Sequence, residues 1–209
     1  MAFEIFNGTA ANRTVSEMNK IIDKLAEMWN FDSVDTESTA HSVTYGDCVL
    51  SVDSSHDGAI NITADGTSIF NSGYIVAFDA PYQYTIVKTK SAVMLSMNYD
   101  PGVFVTIIIG TTTNIDGTTG KGMLYADSSA SSFWEAGCGS TIQPQDSDDM
   151  RSSDTNGLIQ LIPYAFSVGG WYFDNAYRVA LAERTSNHGL FEIGSDRYYI
   201  SMRTAIKEE

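Results

Sequence analysis

The sequence predicts a mainly β protein, a sandwich or partly closed barrel of short antiparallel strands with one N-terminal amphipathic helix. Three observations predict it. After about residue 40 the hydrophobic period changes from helical to alternating. Short apolar runs are punctuated by turn pairs such as Asp57-Gly58, Asp65-Gly66, Asp116-Gly117 and Asn156-Gly157. Only one stretch, near the start, carries a helical stripe. At 209 residues the chain can bury a substantial core without metal or disulfide staples. The spacing of the turns predicts roughly eight to twelve strands. The expected organisation is an N-terminal segment, 1–40, holding the helix at about 14–30, and a β-rich domain, 41–209, with an irregular acidic loop at about 127–157.

The helix is legible from Val15, Met18, Ile21, Ile22, Leu25, Met28 and Trp29, which fall at i, i+3, i+4 and i+7, while Glu17, Lys20, Asp23, Lys24 and Glu27 mostly face away. Thr14-Val15-Ser16-Glu17 has the form of a capping box: the threonine oxygen takes the Glu17 amide, and the glutamate reaches back to the threonine amide. The stripe predicts a face that covers the sheet. It also makes Val15, Met18, Ile22 and Met28 candidates for meeting a partner.

Strands follow. "HSVTYGDCVLSVD" alternates on both sides of Gly46-Asp47, and "GAINIT" is a short strand. "AVMLSMNY" places Val93, Leu95, Met97 and Tyr99 on one face with Ser96 and Asn98 on the other, as in a half-buried strand. "VFVTIIIG", residues 103–110, is almost continuously apolar and reads as a central strand covered on both faces. Beyond the irregular stretch, strands are expected over 158–166 and 171–182. A closing hairpin joins "LFEI" to "RYYISMR" through Gly194-Ser195-Asp196, with Tyr198, Ile200 and Met202 on one face.

"NIDGTTGKG", residues 114–122, superficially resembles a phosphate-cradling loop. Ile115 stands where the first glycine belongs, and Gly122 replaces the hydroxyl that would hold magnesium. A β-connection accounts for the stretch. The Asp146–Asp154 loop has four aspartates in nine residues, but not the spacing of a calcium loop. Cys138, between glycines in "EAGCGSTI", is a candidate nucleophile only if a histidine reaches it. Cys48 and Cys138 stand 90 positions apart, so two free, partly buried thiols are expected and a disulfide framework is not. His41, His56 and His188 show no metal spacing. No residue is therefore assigned a catalytic, cofactor-binding or metal-ligating role. Trp134 and Trp171, in the β region, are candidates for facing a sugar or a protein partner.

The net charge of -14, from 26 acidic and 12 basic residues, disfavours direct contact with nucleic acid. No run approaches the ~18 apolar residues of a membrane span. The start, "MAFEIFNGTAANRT", has neither a basic nor an apolar leader region, so synthesis in the cytoplasm without classical export is expected.

The ending "AYRVALAERTSNHGLFEIGSDRYYISMRTAIKEE" follows a short amphipathic helix and a body rich in Thr, Ser, Asp and Gly. In this general character the chain resembles virion structural proteins of tailed bacteriophages and phage-tail-like particles. The resemblance implies a non-enzymatic subunit of the tail, baseplate, neck or capsid decoration, partnered by copies of itself and by other virion proteins. No residue role is carried over from it. A carbohydrate- or receptor-binding β module, with cell-surface glycan as partner, is the second expectation. A hydrolase with spatially assembled carboxylates is the third.

Overall fold

The computed structural model of the chain describes residues 2–56, 58–64, 67–71, 81–100, 103–114, 116–127, 134–138, 158–160, 171–179, 188–201 and 204–209. Among them the fold is mainly β, in three antiparallel sheets with one α-helix and no closed barrel. The central sheet runs in the order β1 (Glu4–Ala10), β7 (Tyr82–Lys88), β8 (Ala92–Asp100), β9 (Val103–Asn114), β10 (Thr119–Asp127), β11 (Trp134–Cys138). A helix-side sheet follows sequence order through β2 (Ser33–Asp35), β3 (Ser42–Tyr45), β4 (Cys48–Asp53), β5 (Ala59–Ala64) and β6 (Thr67–Asn71). A C-terminal sheet has the order β12 (Leu158–Gln160), β14 (Ala176–Val179), β17 (Thr204–Lys207), β16 (Asp196–Ser201), β15 (His188–Ile193). β13 (Trp171–Phe173) pairs with the far end of β9. These strands exceed the expected number because several are only three or four residues long and carry too short an alternation to read.

Period-2 geometry explains the layering. Val105, Ile107 and Ile109 of β9, with Val93, Leu95 and Met97 of β8, point into one core shared with the helix-side sheet and α1 (Val15–Met28). Ile108 and Met94 point the other way, into a second core with Tyr199 and Ile206 of the C-terminal sheet. The reading of 103–110 as a strand covered on both faces therefore holds. The reading of β8 as half-buried does not: Ser96, on its polar face, is 1% exposed, because the C-terminal sheet lies over it. Its hydroxyl stays satisfied at 2.6 Å from Ser201 Oγ, which is also 3.0 Å from Thr106 Oγ1.

α1 places Met18, Ile21, Ile22, Leu25, Met28 and Trp29 in the first core. Thr14 is the N-cap, its Oγ1 accepting from the Glu17 amide at 3.4 Å. The return half of the box differs from expectation. The chain arrives directly from β1, so the Glu17 carboxylate meets the Ala11 amide at 3.2 Å, and the Thr14 amide donates to Asn12 Oδ1 at 3.2 Å. The first 40 residues are thus built into the sheets: β1 pairs with β7, and β2 with β3.

The expected single strand over 171–182 is broken into β13 and β14 by a turn at Asp174-Asn175. Thr111 and Thr113 hydroxyls of β9 donate to the Asp174 carboxylate at 2.7 and 2.6 Å, and Asn175 Nδ2 donates to Ser91 Oγ at 2.6 Å. This anchoring lets β13 extend the ladder of β9 beyond Gly110, which pairs with the first residue of β8. The closing hairpin is present, with Ile193 opposite Asp196 and Gly194 at φ 64°. Tyr198 and Ile200 share a cluster on the face opposite the second core, and Met202 lies outside the described residues.

Cys48 is fully buried and disulfide-bonded, and no free cysteine is present among the described residues. The chain's other cysteine is Cys138, at the end of β11. The expectation of two free thiols is corrected. Strand packing brings together what 90 residues separate, since β11 lies against β5 and β6.

Gly58 tests the contact between the helix-side sheet and the start of α1. It sits at φ 81°, and a Cβ there would stand 2.6 Å from the carbonyl carbon of Thr14. Gly117, at φ 85°, has nothing within 4 Å. Gly117→Ala is expected to cost about 1 kcal/mol of backbone strain. Gly58→Ala should cost about 1–3 kcal/mol more, because backbone must move. Urea denaturation midpoints measure both, and equal losses would show that the helix start yields freely.

Candidate functional site

The polar side of α1 is not simply solvated. Ser16, Asn19, Lys20 and Asp23 recur at helical spacing along one face and, with Val15, Thr39 and His41, line an open cleft of about 490 Å³. The chain leaving β2 is fastened across this face. Asn19 Nδ2 donates to the Thr39 carbonyl at 2.9 Å, and its Oδ1 accepts from the His41 amide at 3.0 Å. His41 Nδ1 lies 2.6 Å from Asp23 Oδ1. A carboxylate-held imidazole is the orienting half of a nucleophile-activating array. Among the described residues, however, no hydroxyl or thiol bonds to this ring. The Asp23–His41 contact, with the two from Asn19, orders the entry into β3.

A second polar group lies where the central and C-terminal sheets meet. Gln83, Thr85, Ser96, Asn98 and His188 surround a small cavity of about 60 Å³. Thr85 Oγ1 donates to Asn7 Oδ1 at 2.9 Å, and Tyr199 Oη lies 3.0 Å from His188 Nε2 with the two rings edge to face. Partial burial beside Tyr199 pulls the His188 imidazole below its ordinary value of 6.5, and the same desolvation pushes the Tyr199 phenol up.

Lys121, which gave "NIDGTTGKG" its phosphate-loop look, has structural work. β9 and β10 close over Asp116-Gly117, with the Asn114 amide donating to the Thr118 carbonyl at 2.8 Å. Lys121 is ion-paired with Asp32 and stands 4.9 Å over the Tyr45 ring. That pair, and the Gly46 amide, hold the Asp32 carboxyl below the usual carboxylate range.

The edges of the sheets form the third surface. β1, β2 and β15 are each the terminal strand of a different sheet. The exposed large apolar side chains among the described residues are Ile5 (38%), Val34 (47%) and Leu190 (47%), one on each of these three strands. An edge strand presents unpaired N–H and C=O groups that can template a further strand.

The residues proposed to face partners divide accordingly. Met18, Ile22 and Met28 are buried in the protein's own core, and Val15 is partly buried against it; the helix stripe is consumed by covering the sheets. Trp134 opens β11 and Trp171 opens β13, and their side chains lie outside the described residues, as does the Asp146–Asp154 loop. Cys138 is the one other cysteine of the chain available to the Cys48 disulfide, which leaves it no thiol for the nucleophilic reading. Among the described residues no group of three or more His, Cys, Asp and Glu could hold a metal ion, and no helix is long and apolar enough to cross a membrane. Sequence reading missed the Asp23–His41 contact, whose only signal is Asn19 and Asp23 one turn apart on a polar helix face. Comparison with family models, curated proteins and solved structures finds no match to the chain.

His188 is expected to give the fold a pH dependence, a small one because much of the side chain meets water. Its folded value lies below 6.5, so the unfolded chain binds the proton more readily. Its contribution to stability is complete above about pH 6.5 and is lost as pH falls through the folded value. Urea midpoints should therefore drop between pH 7 and 5, and His188→Gln should flatten part of that slope. An unchanged slope would remove His188 as its source.

Proposed function

We propose that this chain is a structural subunit of a bacteriophage virion or phage-tail-like particle, acting by oligomeric assembly and not by turnover. The observation that carries the reading is the placement, among the described residues, of exposed Ile5, Val34 and Leu190 on strands that each end a sheet. Monomeric β proteins commonly guard such edges with charge, proline or bulges. An exposed apolar side chain on the terminal strand of a sheet suits strand-to-strand or edge-to-face burial against another subunit. The net charge of -14 keeps the free subunit soluble before it assembles. The resemblance of the chain's ending and composition to virion proteins supplies the setting.

The cleft on α1 supports the second reading, a glycan- or receptor-binding module. Its volume of about 490 Å³ is within the range of small-ligand sites. Its residues are largely engaged with one another, and assembly is the reading we favour.

Mass spectrometry of density-purified particles tests the proposal. A fixed low copy number is expected for a tail, baseplate or neck ring, and hundreds of copies for a tube or capsid position; absence from particles would overturn it. Ile5→Lys, Val34→Lys and Leu190→Lys should leave circular dichroism and melting nearly unchanged, as exposed sites do. At least one of them should lower incorporation by roughly tenfold or more, the loss expected when an anchor residue is removed from an interface. Normal incorporation of all three would remove the edges from the interface.

A further inference from the structure

We propose that the Cys48 disulfide is an oxidative maturation site, closed after the sheets have formed and carried by the working protein in an oxidising compartment. The inference is independent of the assembly reading. Cys48 begins β4, immediately after the Gly46-Asp47 turn, and is 0% exposed inside the first core. Cys138 ends β11, the terminal strand of the central sheet, whose hydrogen-bonded neighbour is β10. The two cysteines therefore sit in different sheets. In the folded chain the packing of β11 against β5 and β6 brings them together, whereas the unfolded chain must first close a loop of 90 residues, which favours folding before oxidation.

The chemistry fits a lock better than a switch. Two thiols lose two protons and two electrons, and a sulfur–sulfur bond forms. The electrons pass to a disulfide-bearing oxidant, which becomes a dithiol. Reversal needs a thiolate to reach a sulfur, and Cys48, at 0% exposure, shields its side of the bond. Cytosolic thiol pools keep such pairs reduced, whereas secreted proteins and virion or cell surfaces hold them oxidised.

The test uses the protein as taken from the cells or particles that naturally carry it, trapped with a thiol-alkylating reagent under denaturing conditions. The mature protein should take up no alkyl group before reduction and one on each of its two cysteines afterwards. Newly made cytosolic chain should take up both without reduction. Alkylation of the mature protein without reduction would overturn the proposal, and so would an already closed bond in the cytosolic pool. Dithiothreitol should open the bond at least about tenfold more slowly in folded than in urea-unfolded protein; equal rates would make it an accessible switch. Cys48→Ala should still fold, with its melting temperature lowered by roughly 5–15 °C. A Cys48→Ala protein that melts like the wild type would show that the bond locks nothing.

Discussion

β9 can present neither face to water. Val105, Ile107 and Ile109 point one way and Ile108 the other, each at 1% exposure or less. Burial of such side chains contributes about 1.5–3 kcal/mol each, so both faces must be covered by something large and apolar. The N-terminal third supplies one cover, α1 and the helix-side sheet. The C-terminal third supplies the other, the sheet built from β12 and β14 to β17. The two covers thus come from opposite ends of the chain, while β1 and β13 return to the central sheet itself.

The two covers differ in chemistry. The helix side is almost wholly apolar, from Met18 to Ile62. The C-terminal side mixes Val87, Met94 and Ile108 with a seam of hydroxyls, Ser96, Thr106 and Ser201, and beyond it Thr85 with Asn7 and His188 with Tyr199. Buried hydroxyls that satisfy one another add little net stability but allow few alternative arrangements, since each one left unpaired costs about 1–3 kcal/mol. The apolar side supplies adhesion, and the polar seam fixes how the C-terminal sheet is set down.

What could be read in the sequence was whatever repeats within a few residues. The α1 stripe, its Thr14 cap, the Gly46 and Gly117 turns and the unbroken apolar run of β9 each have a local cause. What could not be read depends on a partner far along the chain. Ser96 looks solvent-facing until Ser201, 105 residues later, lies against it. β13 and β14 look like one strand until Thr111 and Thr113 pin the turn at Asp174. The same limit hid the candidate sites: 18 residues separate Asp23 from His41, and Cys48 looks like an ordinary core thiol. Exposed Ile5, Val34 and Leu190 were unreadable for the converse reason, since an apolar residue in a strand is ordinarily a core residue.

The edges of the three sheets are managed unequally, and the inequality bears on function. β11 and β6, ending the central and helix-side sheets, lie against each other, so each shields the other's open side. The Cys48 disulfide falls at this same closed corner, where the last hydrogen-bonded neighbour of β11 is β10. At their other ends these two sheets finish on β1 and β2, and the C-terminal sheet finishes on β15 and β12; β1, β2 and β15 each bear one exposed apolar side chain. A chain whose only requirement was to remain monomeric and soluble would gain most by protecting those three edges. Here one junction is secured covalently, while among the described residues three terminal strands each keep an exposed apolar side chain. That arrangement suits a subunit that must hold its own layers together while neighbours bear on its margins, because any load transmitted through an edge strand would otherwise separate the sheet to which it belongs.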